Sequence, residues 1–406
     1  MSATTEPVRL QLKPGRKHKV LHGHPWVFSN QLRELPAGME PGCEVVVVDS
    51  DGNPVGRGLG HPNTLIAARI CERDAEIPLD DLWLGNRLQA ALEQREKSCS
   101  GRRSFRWVHG DADGLPGLII DRFQDEGEPT RVVMSANTVG MDGWRPRIEQ
   151  ILQERFGIAA GLWKCDGRGR HLEGLPKEVR LGWGPADAAE GKDWSSSDDG
   201  LSVSFDAWGG QKTGLFLDMW ENRRRMAPAL GTGRVLDLYS YVGQWGMMAA
   251  RAGAEEVRCV DSSAAAVERA EENVRRNGLG DQVTAVCSSV DEFLRQVPDR
   301  SADAVICDPP SFIPGKKDVA AGLRGYRTLF AHALRKVRPG GFAVLASCSH
   351  HLFEDRFGGV VSEAGRWADA QLKLVIRGDQ SPCHPVPLGF PEARYLKCWL
   401  LQVDPR

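Results

Sequence analysis

Four side chains in the C-terminal half of the chain could do chemistry together. Asp237, Asp261, Asp308 and Cys348 each end a short apolar run: VLD, RCVD, VICD and VLASC. In open α/β sheets, ligands bind beyond the carboxyl ends of the parallel strands, so four such endings would share one crevice. The segment from Asp237 to Gly246, DLYSYVGQWG, resembles a nucleotide-binding glycine turn. It is not GxGxxG, and the chain contains no GxxxxGK[ST], so a phosphate cradle is not expected. Asp261, at the next strand end, is placed to accept from two ribose hydroxyls. An adenosine-containing ligand without a pyrophosphate fits this pair, and S-adenosylmethionine is one. The plainer alternative is a Rossmann-like turn with a solvent-facing Asp261.

The run Asp308-Pro309-Pro310-Ser311-Phe312 is more specific. Two prolines stiffen the loop, and the aromatic ring can stack on a flat base. A rigid carboxylate beside such a ring suits a planar heterocycle; otherwise the loop is a stiff surface turn with Phe312 packed into the core. Cys348 lies in Ser347-Cys348-Ser349-His350-His351. A thiolate there could add to carbon 6 of a pyrimidine and make carbon 5 nucleophilic. Nearby positive charge lowers a thiol pKa, and His350 and His351 are the candidates close in sequence. Cys259, Cys287, Cys307 and Cys398 are expected to be buried as small hydrophobes.

These residues require a particular set of elements around them. From about residue 200 the pattern alternates: strands over 234–238, 256–261, 283–287, 303–307, 342–347 and 395–403, with helices over 245–253, 264–277, 290–297 and 323–337. The last helix is expected to stop at Pro339-Gly340-Gly341. Such alternation predicts a largely parallel sheet covered by helices on both faces. Residues 1–76 carry short β-like runs (44–49, 65–71) broken by turns, and residues 77–200 read as a mixed α+β stretch with helices near 79–96 and 148–156. The polar run WGPADAAEGKDWSSSDDG reads as a loop or hairpin.

At 406 residues with 41% hydrophobic content, the chain can bury a sizeable core. Lys plus Arg (52) nearly balances Asp plus Glu (54), so binding to nucleic acid must rely on local patches. One acid-free stretch carries Arg9, Lys13, Arg16, Lys17 and Lys19; Arg102, Arg103 and Arg106 form a second cluster. Each is either a solvated face or an RNA contact. The ten cysteines form no CxxC pair, and no apolar run has the length of a membrane span. A cytoplasmic protein with reduced thiols, no metal and no membrane contact is expected.

Seven segments, in order, resemble one family: GHPWVFSN (23–30), TGLFLDMWENRR (213–224), VLDLYSYVGQWG (235–246), DPPSF (308–312), RGYRTL (324–329), SCSHH (347–351) and HPVPLGFPEARYLK (384–397). They are similar to the bacterial large-subunit ribosomal RNA cytosine-5 methyltransferases. The resemblance implies an α/β fold: a PUA-like domain over 1–76, a central α+β domain over 77–200 and a Rossmann-like methyltransferase domain over 201–406. By position it implies S-adenosylmethionine held by Asp237, Tyr239, Gly243, Asp261, Ser289, Asp308, Asp218 and Arg223. It implies Cys348 and Asp308 as catalytic residues. Pro309, Pro310 and Phe312 of the stiff loop, and Lys13, Arg16 and Lys17 of the basic stretch, are the expected RNA contacts. The family often has an acidic residue near position 289, where this chain has Ser289. Some members also have Gln-Arg in place of Met219-Trp220.

The expected reaction is methyl transfer to carbon 5 of a cytosine in 23S ribosomal RNA through a Cys348 adduct, by a protein that could act as a homodimer. Two rivals share the same residues. Methylation of an exocyclic base nitrogen uses an Asp-Pro-Pro-aromatic loop without a cysteine, and an RNA-binding protein without catalysis would use the PUA-like segment alone.

Overall fold

The structure, a computed structural model, describes residues 6–15 and 18–406, so Arg16 and Lys17 lie outside the described residues. The chain falls into two compact units. The first comprises residues up to Trp194 together with Asp206–Leu215 and Pro382–Ala393, and the second comprises Ser195–Phe205, Phe216–Ser381 and Arg394–Arg406.

The first unit holds two five-stranded sheets. One uses β1 (Val8–Gln11), β2 (Trp26–Phe28), β3 (Glu44–Val48), β4 (Pro54–Gly60) and β5 (Ile66–Glu72) in the order β1-β3-β4-β5-β2. Alternation along these strands buries Leu10, Val27, Val45, Val47, Ala68 and Ile70 in one small core. Helix α1 (Asp81–Ser98) follows, capped where the Asp80 carboxylate accepts from the Trp83 amide at 2.8 Å. The second sheet uses β6 (Phe105–His109), β7 (Leu118–Phe123), β8 (Arg131–Ala136), β9 (Ala160–Cys165) and β10 (Glu178–Trp183), with α2 (Val139–Gly143) and α3 (Arg145–Glu154) between β8 and β9. Two buried ion pairs brace it. The Arg95 guanidinium meets Asp113 at 2.6 and 2.7 Å, and Arg106 grips Asp121 with two 2.8 Å bonds. Arg106, expected at the RNA, is therefore neutralised inside the fold.

The polar run that read as a loop or hairpin (183–200) holds β11 (Trp194–Asp198) and the turn that follows it, and β12 (Leu201–Phe205), just beyond the run, completes the hairpin. The second unit follows as α4 (Trp220–Leu230), β13 (Arg234–Leu238), α5 (Gln244–Arg251), β14 (Glu256–Asp261), α6 (Ala264–Arg276), β15 (Val283–Cys287), α7 (Val290–Gln296), β16 (Ala302–Cys307), α8 (Val319–Lys336), β17 (Val337–Ser347), α9 (Glu354–Trp367), β18 (Ala370–Gly378) and β19 (Lys397–Pro405). Its seven strands run β15-β14-β13-β16-β17-β19-β18, parallel except for β19, which is antiparallel to both neighbours. Central β16 is buried along its whole length, as a strand covered on both faces must be. The core beneath it gathers Leu236, Val305, Phe330, Leu345 and Phe357.

The helix expected to stop at Pro339-Gly340-Gly341 instead ends at Lys336, and those three residues lie inside β17, whose pairing with β16 slips between Ala302 and Ala304. The expected burial of Cys287 is also overturned. This thiol ends β15, the outermost strand, and is exposed. Cys259, Cys307 and Cys398 are fully buried.

At Gly246, helix α5 packs directly on strand β14. A Cβ added there would sit 2.3 Å from Cys259 Sγ and 3.0 Å from Val257 Cγ1. We therefore expect Gly246→Ala to destabilise the protein by about 1–3 kcal/mol through overpacking. Gly280→Ala, at a position with open space around it, should be near neutral. Urea unfolding of both variants checks this, and equal midpoints would contradict it.

Candidate active site

Strand β13 delivers Asp237 into a fully buried position. Its Oδ2 accepts from the Gly246 amide at 2.9 Å and from the Cys259 thiol at 3.8 Å, while Oδ1 has no hydrogen-bond partner. Burial pushes this carboxyl up to about 7; the Gly246 amide opposes the rise, Asp308 adds to it and Arg223 counters it. The chain then turns through left-handed Tyr239 (φ 63°) and Tyr241 (φ 50°), and reaches Gly243 (φ 84°) at the start of α5. Such angles in bulky residues persist only when their surroundings enforce them. Asp261 supplies part of that enforcement. Its Oδ2 accepts from the Tyr241 amide at 3.0 Å and its Oδ1 from the Ser263 amide at 2.9 Å, while the Ser240 amide donates to Val260 O.

The neighbouring positions have definite structural partners. Half-buried Tyr239 has its phenol pushed well up by burial. Ser289 caps α7, its hydroxyl accepting from the Glu292 amide at 3.2 Å. Asp218 is buried; its main-chain oxygen takes bonds from the Ser381 amide (2.8 Å) and hydroxyl (2.7 Å), and its carboxylate accepts from Tyr395. Arg223, also buried, donates to Phe216 O at 3.0 Å and lies close enough to Asp237 to favour its ionised form.

Strands β16 and β17 are adjacent, so the loops after them meet. Asp308 is half-buried, Pro309 buried and Pro310 exposed. Ser311 Oγ and Ser349 Oγ are 2.8 Å apart, Ser349 Oγ and the Tyr326 hydroxyl are 2.8 Å apart, and the Phe312 amide donates to that hydroxyl at 3.2 Å. The Phe312 ring packs on Tyr326 at 4.6 Å, so part of this ring is committed to the protein interior. Cys348 sits between Ser347 and Ser349 and is half-buried.

Sequence reasoning missed Lys397, the first residue of β19. Its side chain is 6% exposed, and its ammonium donates to Ser349 O (2.7 Å) and Tyr395 O (2.6 Å). Burial lowers this amine to about 8, while interaction with Cys348 favours its charged form. Positive charge beside the thiol thus comes from a lysine nearly fifty positions away in sequence. Antiparallel pairing of β17 with β19 sets Ser347 against Lys397. In the first unit, Lys13 is exposed and donates to Asn30 O, and Arg103 pairs with Glu126 at 3.3 Å.

A buried carboxylate oxygen without a donor, beside a backbone turn held open by left-handed residues, fits a ligand that brings a donor or positive charge to the end of β13. Among the described residues no group of His, Cys, Asp and Glu is placed to hold a metal, and no helix is long and apolar enough to cross a membrane.

Two family profiles match the chain: a PUA-like domain over residues 10–73 and an S-adenosylmethionine-dependent methyltransferase over residues 159–389. The chain is 34% identical over 396 residues to the ribosomal RNA large subunit methyltransferase I of Shewanella denitrificans, covering 96% of this chain and 98% of that protein. It is 31% identical to the protein of the same name from Cronobacter sakazakii, with the same coverage. The solved structure of a methyltransferase, SMU.776, complexed with SAH shares the fold, with TM-score 0.80 and 17% identity over 97% of this chain and 100% of that one. The chain belongs to the S-adenosylmethionine-dependent methyltransferases, within the ribosomal RNA large subunit methyltransferase I family, and S-adenosylmethionine is its cofactor.

Proposed function

We propose that this protein methylates carbon 5 of a cytosine in 23S ribosomal RNA, with Cys348 as the covalent nucleophile. The observation that carries the reading is the half-buried Cys348 thiol on a loop tied to the Asp308 loop, with the buried Lys397 ammonium interacting with it. Methylation of an exocyclic base nitrogen needs no such thiol. The relatives named as ribosomal RNA methyltransferases and the PUA-like segment support an RNA substrate.

Asp237, Tyr239, Gly243 and Asp261 line the cofactor site, Asp237 Oδ1 being the acceptor still open there. S-adenosylmethionine held there would supply an electrophilic methyl on a sulfonium, with a neutral thioether as its leaving group. The protein's part is to make carbon 5 nucleophilic. Cys348 gives up its proton and its sulfur bonds to carbon 6, moving the ring π electrons toward carbon 5. Asp308 holds the base through its exocyclic amine, while Pro309 and Pro310 keep the loop stiff. After methyl transfer a base removes the carbon 5 proton, the double bond re-forms, and the Cys348 thiolate leaves. The ring face must meet the thiol, so the target base is unpaired or turned out of its stack.

Incubating 23S RNA with labelled cofactor and analysing the nucleosides by mass spectrometry tests the reaction. Label should enter 5-methylcytidine and fall to background in Cys348→Ala, while cofactor binding is kept. Label in an N-methylated base, unaffected by the substitution, would overturn the cysteine mechanism.

Lys397 should shape the acid limb of the rate profile. Its ammonium stabilises the Cys348 thiolate, so Lys397→Gln should slow the reaction by about tenfold or more at low pH, where the thiol is otherwise protonated. The gap should close as pH rises past about 8, where the wild-type lysine loses its charge. A pH-independent gap would remove Lys397 from this role.

Asp237 has the opposite sign. With its carboxyl raised to about 7 by burial, the cofactor-free protein holds a proton there at neutral pH and below. A cationic cofactor favours the carboxylate, so binding should expel that proton. Affinity should climb by at most about tenfold per pH unit below 7 and level off above it. Calorimetry in buffers of different ionisation enthalpy reads this proton release directly, and an affinity flat from pH 6 to 8 would contradict it.

A further inference from the structure

Phe353 occupies a place where folding gains nothing from it. It is the N-cap residue of α9 and is 67% exposed. Ser, Thr, Asp and Asn are favoured at that position because their side chains accept from the first free amides. Here no side chain caps the helix. The apolar residues on either side, Leu352 and Phe357, are fully buried and do the packing. Phe353 thus forgoes a cap and leaves a large aromatic surface in water. Where a local rule is broken without a compensating contact, a ligand is the usual reason.

The ring's position says which ligand. A turn closed by the Leu352 amide on Ser349 O, at 3.2 Å, follows directly on Cys348, so Phe353 emerges just past the reactive thiol. On that loop, exposed His350 stacks at 5.1 Å and 33° on Tyr395, which precedes β19. Arg356, in the first turn of α9, is exposed and, among the described residues, forms no ion pair with a carboxylate. A cation there opposes the helix dipole, so it too is not placed for the helix's benefit. Two acids share that turn: Glu354 is neutralised by Arg377 and by Arg394, the latter at 3.4 Å, and Asp355 is exposed. Exposed aromatic rings with an exposed cation close by in sequence suit single-stranded nucleic acid: bases stack on the rings and a phosphate meets the charge.

We propose that Phe353, His350 and Tyr395 form a stacking platform for the unpaired nucleotides flanking the target base, with Arg356 contacting their backbone. The proposal rests on the RNA reading given under Proposed function and assigns these residues a positioning role. An extruded base costs stacking energy, and a platform for its neighbours offsets part of that cost.

The test uses the full-length protein and a short, unstructured, labelled oligocytidylate, read by fluorescence anisotropy at one fixed salt concentration. Stacking on one ring is worth about 1–3 kcal/mol by alanine substitution, so Phe353→Ala should weaken binding by about tenfold. Phe353→Leu should be as weak as Phe353→Ala, and Phe353→Trp should bind as well as wild type, because the ring and not its apolar area is what counts. On 23S RNA, Phe353→Ala should raise KM while kcat at saturation and cofactor affinity stay unchanged. Equal oligonucleotide binding by Phe353→Ala and wild type would overturn the platform, as would full rescue by Phe353→Leu. Unchanged RNA binding with lost self-association in sedimentation would reassign the ring to a protein contact. Phe353-dependent RNA binding without 5-methylcytidine would leave the platform standing and sink the proposed reaction alone.

Discussion

The site depends on one small hydrogen-bonded knot. The Tyr326 hydroxyl, fully buried on α8, joins the Ser349 hydroxyl and the Phe312 amide, and Ser349 in turn joins Ser311. Through these bonds the loop after β16 and the loop after β17 share a single anchor. Parallel strands bring the two loops near each other but do not fix their conformation; only side-chain bonds beyond the strand ends can do that. In a water-poor surrounding a satisfied polar network is stiff, and losing one member leaves the others unpaired. Asp308 and Cys348 therefore keep a set separation because of residues that need touch no ligand.

Around that knot two buried ionisable groups balance in opposite directions. Asp237 is short of partners and its carboxyl is pushed toward neutrality, whereas Lys397 has two carbonyl acceptors and a thiol to favour its charge. Both are costly to bury, and neither contributes to the apolar core. A carboxyl at the end of β13 that a cationic ligand would ionise, and a buried ammonium near the end of β17, suit a site that takes a cationic methyl donor. Cys307, one residue before Asp308, is fully buried. Burial and two nearby carboxylates hold its thiol far up.

Much of this was legible in the sequence, because apolar runs ending in Asp, Asp, Asp and Cys are local signals. Strands 234–238, 256–261 and 283–287 have the limits that their patterns indicate. What stayed hidden is long-range. Lys397 becomes relevant only because β19 inserts antiparallel between β17 and β18, and nothing in its own neighbourhood marks it. Helix α4 is obscured by an internal Pro228 and by buried polar residues, Asn222 and Arg223, on its inward side. Edge strand β18 mixes exposed Leu374 and Val375 with charge and lacks clean alternation. Phe312 packs on Tyr326 and is half-buried, a contact that its own loop allows and that only tertiary packing makes.

The return of residues 382–393 to the first unit has a consequence for how this protein is made. Arg95, fully buried there, donates to Cys383 O at 3.3 Å, and His109 packs on His384 at 4.9 Å. During synthesis the first 194 residues emerge long before these partners exist. At about 5–20 residues per second, the wait is roughly ten to forty seconds. Over that interval the first unit lacks the segment that meets its buried arginine and half-buried histidine, and it is complete only once residues 382–393 have emerged. Its full set of contacts is therefore made after the strands and helices of the second unit have been synthesised.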